Sequence, residues 1–291
     1  MYKECIRICL FLCITLLCSG FAPLKQIVLP LSHGSGVPFV LEDDGIYIDG
    51  FAVDADENLY FSGGGEETYI YGYSSKSRKS LFRKRLTQTT AGSLFIQGDR
   101  LYMLSHREIG NYVRIVQLDK RTGATLRNVT YDMPSHLSVN RSIFLREGLS
   151  VWFLEKVDAE DEEEHLLDEF VLFDLSGKRV KTMDNIYNLK PQVLSTDSKL
   201  VDAELIGRYR GNYVFYNIED FDYCTLYLVN ENGVILKSAH LPFETIGAIF
   251  NAASMGNSED HKVIQNGKLY ILGIKEDNLV ISEYALRDLF I

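Results

Sequence analysis

The amino-acid sequence predicts an all-β protein, a β-propeller of four-stranded antiparallel blades. Three observations predict it: an apolar strand motif that recurs about every fifty residues, turn residues between the strands, and strands that are apolar at nearly every position. Of the 291 residues, 46% are hydrophobic and 12% aromatic, which is a globular composition that favours β structure.

Each copy of the repeat begins with a turn that leads into a short, apolar strand. A second apolar strand follows, then a turn, then a more polar strand, and one more strand candidate precedes each copy. Each repeat therefore predicts four short strands. The central residues of the five copies are Tyr60, Tyr102, Trp152, Val214 and Tyr270.

A four-stranded sheet of this kind cannot bury both of its faces alone. Radial stacking about an axis covers both faces and leaves only short edges exposed, which explains why the second and third strands do not alternate. Five copies favour five blades. Because blades more often have about 40–50 residues, six blades are the alternative, with the sixth within residues 188–205. A pair of β-sandwiches would also need short strands and turns.

The last blade needs an outer strand from elsewhere, because little chain follows the fifth copy. Residues 26–31 resemble the outer strand predicted for residues 235–242. We therefore expect the N-terminal strand to complete the last blade and close the ring. Pro30 suits such an edge strand, since proline cannot donate a ladder hydrogen bond.

Residues 1–20 have the pattern of an export signal. Lys3 and Arg7 precede an uncharged run over 8–24, and small residues follow Cys18. We expect cleavage, one propeller domain over 21–291, and export to the periplasm, cell surface or medium. The residues before Cys18 match a lipid-attachment site poorly, and contact with a membrane follows only if this segment is retained or lipidated.

The positions of the cysteines limit the possible disulfides and metal sites, and the net charge limits the classes of binding partner. Only Cys224 lies outside the signal, so no disulfide framework or cysteine metal site is predicted, and Cys224 is expected to be buried. A formal charge of −10 argues against nucleic acid and against an anionic membrane surface as partners. No cofactor is predicted.

Two acidic segments resemble cation sites without completing one. Residues 54–58 begin like a calcium loop, but Leu59 stands where glycine is required and Gly65 where a bidentate glutamate is required, so a turn is predicted. Residues 158–169 are mostly acidic, and we interpret them as a solvated loop, with binding of a cation or a basic partner as the alternative.

Other polar groups have simple structural interpretations. The basic run over residues 76–85 predicts a solvated rim, and Ser35 between two glycines predicts a flexible loop. The six histidines show no paired metal-ligand spacing, so no metal site is predicted.

The segment from Val53 to Tyr60 and its counterparts resemble exported bacterial propellers of the six-bladed, TolB-like or NHL-like kind. This resemblance covers the whole mature chain and implies the fold. No catalytic motif of such families matches, so it implies no functional residue.

The innermost strands of a propeller line an axial channel, where ligands usually bind. Carboxylates and guanidinium groups there could clamp a polar ligand, or could line a water-filled channel. We therefore interpret the protein as a non-enzymatic binding or scaffold propeller that recognises a protein or a glycan through one face. A hydrolase or lyase that acts on a carbohydrate with channel carboxylates is the alternative, and an assembly factor is a third. The channel candidates are Asp49, Asp54, Gln97, Arg141, Arg208, Arg210 and His261.

Overall fold

The structure is a computed structural model in which strands dominate. Only two short helical segments occur in the part of the chain it describes: a 3-10 turn over Ser198–Leu200 and helix α1 over Leu286–Leu289. The described residues are 23–30, 48–63, 68–87, 92–107, 112–132, 137–144, 149–156, 165–174, 179–183, 198–200, 203–220, 223–242, 261–275 and 278–291.

These residues form five four-stranded antiparallel sheets. The first sheet contains β2 (Ile48–Val53), β3 (Asn58–Gly63), β4 (Thr68–Ser74) and β5 (Lys79–Leu86), and the second β6 (Leu94–Gln97), β7 (Arg100–Arg107), β8 (Tyr112–Asp119) and β9 (Thr125–Asp132). The third contains β10 (Leu137–Phe144), β11 (Leu149–Lys156), β12 (His165–Asp174) and β13 (Arg179–Met183). The fourth contains β14 (Glu204–Tyr209), β15 (Asn212–Asp220), β16 (Tyr223–Val229) and β17 (Ile235–Pro242). The last contains β18 (Lys262–Gln265), β19 (Lys268–Lys275), β20 (Asn278–Ala285) and β1 (Lys25–Pro30).

The outer strand of the last sheet comes from the N-terminal part of the chain. β1 pairs antiparallel with β20, with Lys25 opposite Glu283 and Pro30 opposite Asn278. On one side of β1, Leu29 is buried and Ile27 packs partly against the same core. The last sheet is therefore assembled from segments far apart in sequence.

Neighbouring sheets pack beside one another in a propeller arrangement. The first strands β14 and β18, β18 and β2, and β2 and β6 lie side by side, and β7 contacts β10. The spatial order is thus fourth, last, first, second, third. The prediction of a propeller of four-stranded antiparallel blades is confirmed.

Apolar cores fill the spaces between sheets. Leu59, Tyr60 and Phe61 on β3 are all buried, because successive side chains of a strand point to opposite faces and both faces are covered. Phe61 packs with Tyr270 of the last sheet, whereas Tyr60 packs towards the second sheet. The continuous apolar runs in the sequence therefore reflect burial on both sides.

The first strands of three sheets are irregular. A bulge leaves Asp49, Asn140 and Ile206 without a paired residue in β2, β10 and β14, respectively. Beside the bulge in β2, a Cβ atom at Gly50 would collide with the carbonyl oxygen of Gly92, so glycine allows the second sheet to approach closely.

The segment proposed to hide a sixth blade is described only in part. The 3-10 turn over residues 198–200 lies there, and Glu204 and Leu205 begin β14 of the fourth sheet. Residues 188–197 lie outside the described residues. Among the described residues, no helix is long and apolar enough to cross a membrane.

Candidate functional site

The first strands have two distinguishable ends. At the start of β18 and β2, His261 Nε2 lies 2.9 Å from the Ile48 carbonyl oxygen, and beyond their other end Asn266 donates to the Ala55 carbonyl oxygen at 3.1 Å. These strands therefore run in the same direction, from a start end to a turn end. The start end holds Asp49 and His261, the turn end holds Asp54, Gln97, Arg208 and Arg210, and Arg141 lies within β10 beside the bulge at Asn140.

Asp49 is a partly buried carboxyl group at the bulge of β2. Burial raises its pKa to about 6, because removal from water disfavours the charged form. Among the described residues, neither a hydrogen bond nor an ion pair to its carboxylate is found. Bulges commonly redirect a side chain near a functional site, and an incompletely compensated acid is a candidate for ligand contact.

His261 lies beside that bulge at the start of β18. It is 4% exposed, and burial lowers its pKa, which favours the neutral ring. The Ile48 carbonyl can only accept a hydrogen bond, so Nε2 is assigned as the donor. Nδ1 is then an acceptor, buried and without a hydrogen-bond partner in the described part of the chain.

Asp54 is occupied by protein donors. Its Oδ1 accepts the backbone amides of Asp56 and Asn58, both at 2.9 Å. Its Oδ2 accepts the Asn58 side chain at 3.1 Å and the Tyr60 hydroxyl at 3.2 Å, and lies 3.2 Å from Lys120 Nζ. Burial would raise the pKa of Asp54, but the hydrogen bonds from Asn58 and the contact with Lys120 hold it below its ordinary value. These contacts make Asp54 an anchor of its turn.

The same turn carries a second charged contact, to the last sheet. Lys268 Nζ lies 2.6 Å from Glu57 Oε1 and 2.7 Å from Glu283 Oε1, and Lys25 Nζ lies 3.9 Å from Glu57 Oε2. We call these four residues the Glu57 cluster. The hydrogen bond from Lys268 is the main reason why the pKa of Glu57 is lowered. No local pattern in the sequence predicts these pairings.

The arginines at the turn end rest on aromatic rings. Arg208 donates to the Tyr213 hydroxyl at 2.7 Å and lies 4.5 Å from the centroid of that ring. Arg210, exposed in the turn after β14, lies 5.2 Å from the Tyr209 ring centroid. Arg208 and Arg210 are therefore separated from Asp49 and His261 by the length of the strands.

The other polar segments have the following positions. The residues over 54–58 form a hairpin turn, and within the described ranges no three His, Cys, Asp or Glu side chains are grouped as a metal site requires. The basic run lies on β5 and its preceding turn, where Arg83 stacks 4.3 Å from the Tyr69 ring centroid. Ser35 and residues 158–164 lie outside the described residues. The rest of the acidic segment, residues 165–169, was interpreted as part of a loop, but it belongs to strand β12.

Cys224 is buried, as the sequence predicts, and it is a free thiol. Burial raises the pKa of that thiol to about 12, so the reactive thiolate is strongly disfavoured.

Comparison with known proteins gives no family. Neither a protein-family model nor a curated protein matches the chain. A luciferin-regenerating enzyme matches at 12% identity, covering 90% of this chain and 77% of that chain, with a TM-score of 0.41. Glutaminyl cyclase from Myxococcus xanthus matches at 11% identity, covering 90% and 99%, with a TM-score of 0.41. BamB from Moraxella catarrhalis matches at 11% identity, covering 90% and 99%, with a TM-score of 0.37. Similarity at this level assigns no activity or partner to this chain.

Proposed function

We propose that the protein is an exported, non-enzymatic binding propeller that recognises a protein or a glycan at the start end of its first strands. The observation that carries this proposal is the desolvated carboxyl group of Asp49, for which the described residues provide no polar partner. It lies next to the start of β18, where the buried Nδ1 of His261 also has no hydrogen-bond partner among the described residues. Keeping such groups uncompensated costs stability, and a ligand that donates hydrogen bonds would compensate them.

The fold supports this proposal if the sheets form a closed ring. The described contacts join the sheets in the order fourth, last, first, second, third. The third and fourth sheets, at the two ends of that series, are consecutive in sequence. A contact between them would close a five-bladed propeller in which the start ends of all first strands converge around one opening.

Export of the protein rests on the sequence. The charged start, uncharged run and small residues within residues 1–20 are typical of a secretory signal. With only Cys224 left beyond that signal, the domain depends on its apolar cores rather than on disulfides.

A carbohydrate hydrolase or lyase is the second candidate. The raised pKa of Asp49 suits a general acid, but glycoside hydrolysis commonly uses two carboxyl groups. Among the described first strands, the other acidic residue is Glu204, the first residue of β14. Asp49 lies on β2 and Glu204 on β14, and these two strands contact β18 from either side, so this alternative would use these two carboxyl groups.

Binding by wild-type protein, Asp49→Asn and the control Asp56→Asn tests the proposal. The control removes an exposed carboxylate from the turn after β2. On a glycan array and in envelope extracts, we expect a ligand whose affinity falls about 10–100-fold in Asp49→Asn, because a charged hydrogen bond is lost, and is unchanged in Asp56→Asn.

Two outcomes would contradict the binding proposal. Equal binding by both variants would exclude Asp49 from the site. Release of reducing or unsaturated sugar ends by wild-type protein, abolished by Asp49→Asn and by Glu204→Gln, would establish the enzyme instead.

A further inference from the structure

Basic residues are segregated on the first sheet. Residues 68–98 contain six lysines and arginines and no aspartate or glutamate, in a chain that has 40 acidic and 30 basic residues. All six lie within residues 76–85, and all but the half-buried Lys84 are exposed. We call these six residues the basic edge: Lys76, Arg78, Lys79, Arg83, Lys84 and Arg85.

The basic edge follows β5, the outermost strand of the first sheet. β5 pairs with β4 on one side, and no described strand pairs with its other side. Phe82 is buried in the core between the first and second sheets, which fixes the position of β5. Since successive side chains of a strand alternate between its faces, Arg83 and Arg85 point to one face and Lys84 to the other. A linear ligand along β5 would therefore meet cations on both sides.

An aromatic ring orients one of these cations. The Arg83 guanidinium lies 4.3 Å from the ring centroid of Tyr69, the residue opposite Arg85 on β4. This cation–π contact restricts the guanidinium while the side chain stays exposed. Among the described residues, no ion pair joins Arg78, Lys79 or Arg83 to a carboxylate. The described carboxylates thus leave these cations available to an anion from outside.

Protection of an exposed sheet edge does not explain so many cations. Charged side chains, lysine above all, keep edge strands from pairing with other molecules. The other outer strands carry one basic residue each on β1, β9 and β17 and two on β13, whereas β5 carries four. Two of those four are arginines, which pair with carboxylates through two parallel hydrogen bonds. The excess on β5 therefore indicates an anionic ligand.

The distribution of charge favours a linear polymer of carboxylates. A chain with a formal charge of −10 is repelled by an extended anionic surface such as a membrane, whereas a flexible polymer can contact one strand alone. The export inferred above separates the protein from nucleic acid. Polysaccharides that contain uronic acids meet both conditions, because they are found outside the cell and carry one carboxylate on each acidic sugar.

We propose that the basic edge binds an acidic polysaccharide, with carboxylates of the polymer paired to Arg83 and its basic neighbours along β5. This surface lies at the outer strand of the first sheet, whereas Asp49 lies on β2 at the opposite edge of that sheet. The inference rests on the proposed export and does not depend on the site at Asp49.

Calorimetric titration of the protein with polygalacturonate at low salt tests this inference. Arg83→Gln with Arg85→Gln removes two cations from β5. The control, Arg127→Gln with Lys237→Gln, removes two exposed cations from β9 and β17 and changes the net charge equally. We expect the affinity to fall about five- to tenfold in the first variant and less than about twofold in the control, because each exposed charge pair contributes little alone. Added salt should weaken binding by wild-type protein, since exposed charges are screened.

A second variant, Lys79→Gln with Lys84→Gln, keeps the contact between Arg83 and Tyr69. It should also weaken binding, and an unchanged affinity would assign the effect of the arginine variant to packing and overturn the proposal. Absence of binding by wild-type protein would overturn it, as would an equal fall in the control variant. Tighter binding of single-stranded DNA or of anionic vesicles than of polygalacturonate would overturn it too. None of these outcomes bears on binding at Asp49, which the Asp49→Asn variant tests separately.

Discussion

At the scale of single residues, one hairpin turn contacts two neighbouring sheets. Asp54 contacts Lys120 of the second sheet, and Glu57 contacts Lys268 of the last sheet. Asn266 also donates to the Ala55 carbonyl oxygen in the same turn. The turn after β2 thus adds charged contacts to the apolar packing on both sides of the first sheet.

The pKa shifts of Glu57 and Asp49 predict opposite effects of pH on stability. The pKa of Glu57 is lowered, so its contribution is present above its ordinary pKa of 4.5 and is lost as pH falls through the folded-state value. The pKa of Asp49 is raised from 3.8 to about 6, so the folded protein binds more protons in that window and stability falls as pH rises through it.

We expect Glu57→Gln to lower stability at pH 7 by roughly 1 kcal/mol, and Asp49→Asn to raise it by roughly 1–3 kcal/mol.

Melting temperatures between pH 3 and pH 7 measure both effects. Glu57→Gln should approach wild-type stability at the acidic end, whereas Asp49→Asn should gain on wild-type protein between pH 4 and pH 7. Glu231→Gln, an exposed acid in the turn before β17, is the control and should follow wild-type protein throughout. Parallel curves for all variants would contradict the assigned electrostatics.

At the scale of elements, only one side of strand β1 packs against the apolar core. Leu29 is 3% exposed in the core shared by the first and last sheets, whereas its neighbour Val28 is 52% exposed. We expect Leu29→Ala to lower the melting temperature by about 5–10 °C, because it removes buried apolar volume, and Val28→Ala to change stability by less than about 0.5 kcal/mol. Differential scanning calorimetry decides this, and equal effects of the two substitutions would show that β1 does not pack on that core.

The strands and turns were predictable because their signals are local. The run around Tyr60 is apolar on every residue, which predicts a strand covered on both faces, and Glu231-Asn232-Gly233 predicts the turn before β17. The N-terminal strand was predictable because residues 26–31 resemble an outer strand. The alternation of side chains between the two faces of a strand, and the residue preferences of turns, each involve only a few neighbouring residues, so they can be recognised in the sequence.

The polar contacts between sheets were not predictable from such signals. Lys120 and Lys268 are distant in sequence from their partners Asp54 and Glu57, and only the packing of sheets brings them together. Asp54 was a candidate for ligand contact, yet the sequence also contains a local signal that it caps its own turn. Aspartate two and four residues before backbone amides in a tight turn is typical of a side chain that caps its own turn. The bulge at Asp49 has no such local signal, since it depends on the register with β3.

At the scale of the whole molecule, the two ends of the first strands differ in chemistry. The start end holds an acid and a buried histidine nitrogen for which no polar partner is found in the described part of the chain. The turn end holds compensated charges and stacked arginines.

Closure of the ring predicts that all five sheets unfold together. In an open series, the third sheet would be terminal and would unfold separately, since a terminal repeat has one neighbour only. Trp152 lies on β11 of the third sheet and is the single tryptophan, so its fluorescence reports on that sheet, whereas far-ultraviolet circular dichroism reports on all strands.

In a closed ring, Leu29→Ala in the last sheet should shift the urea midpoint of Trp152 fluorescence as much as that of circular dichroism, because the transition is cooperative. A shift in circular dichroism with an unchanged Trp152 midpoint would mean that the third sheet unfolds independently of the last, and the proposal of a closed five-bladed ring would be wrong.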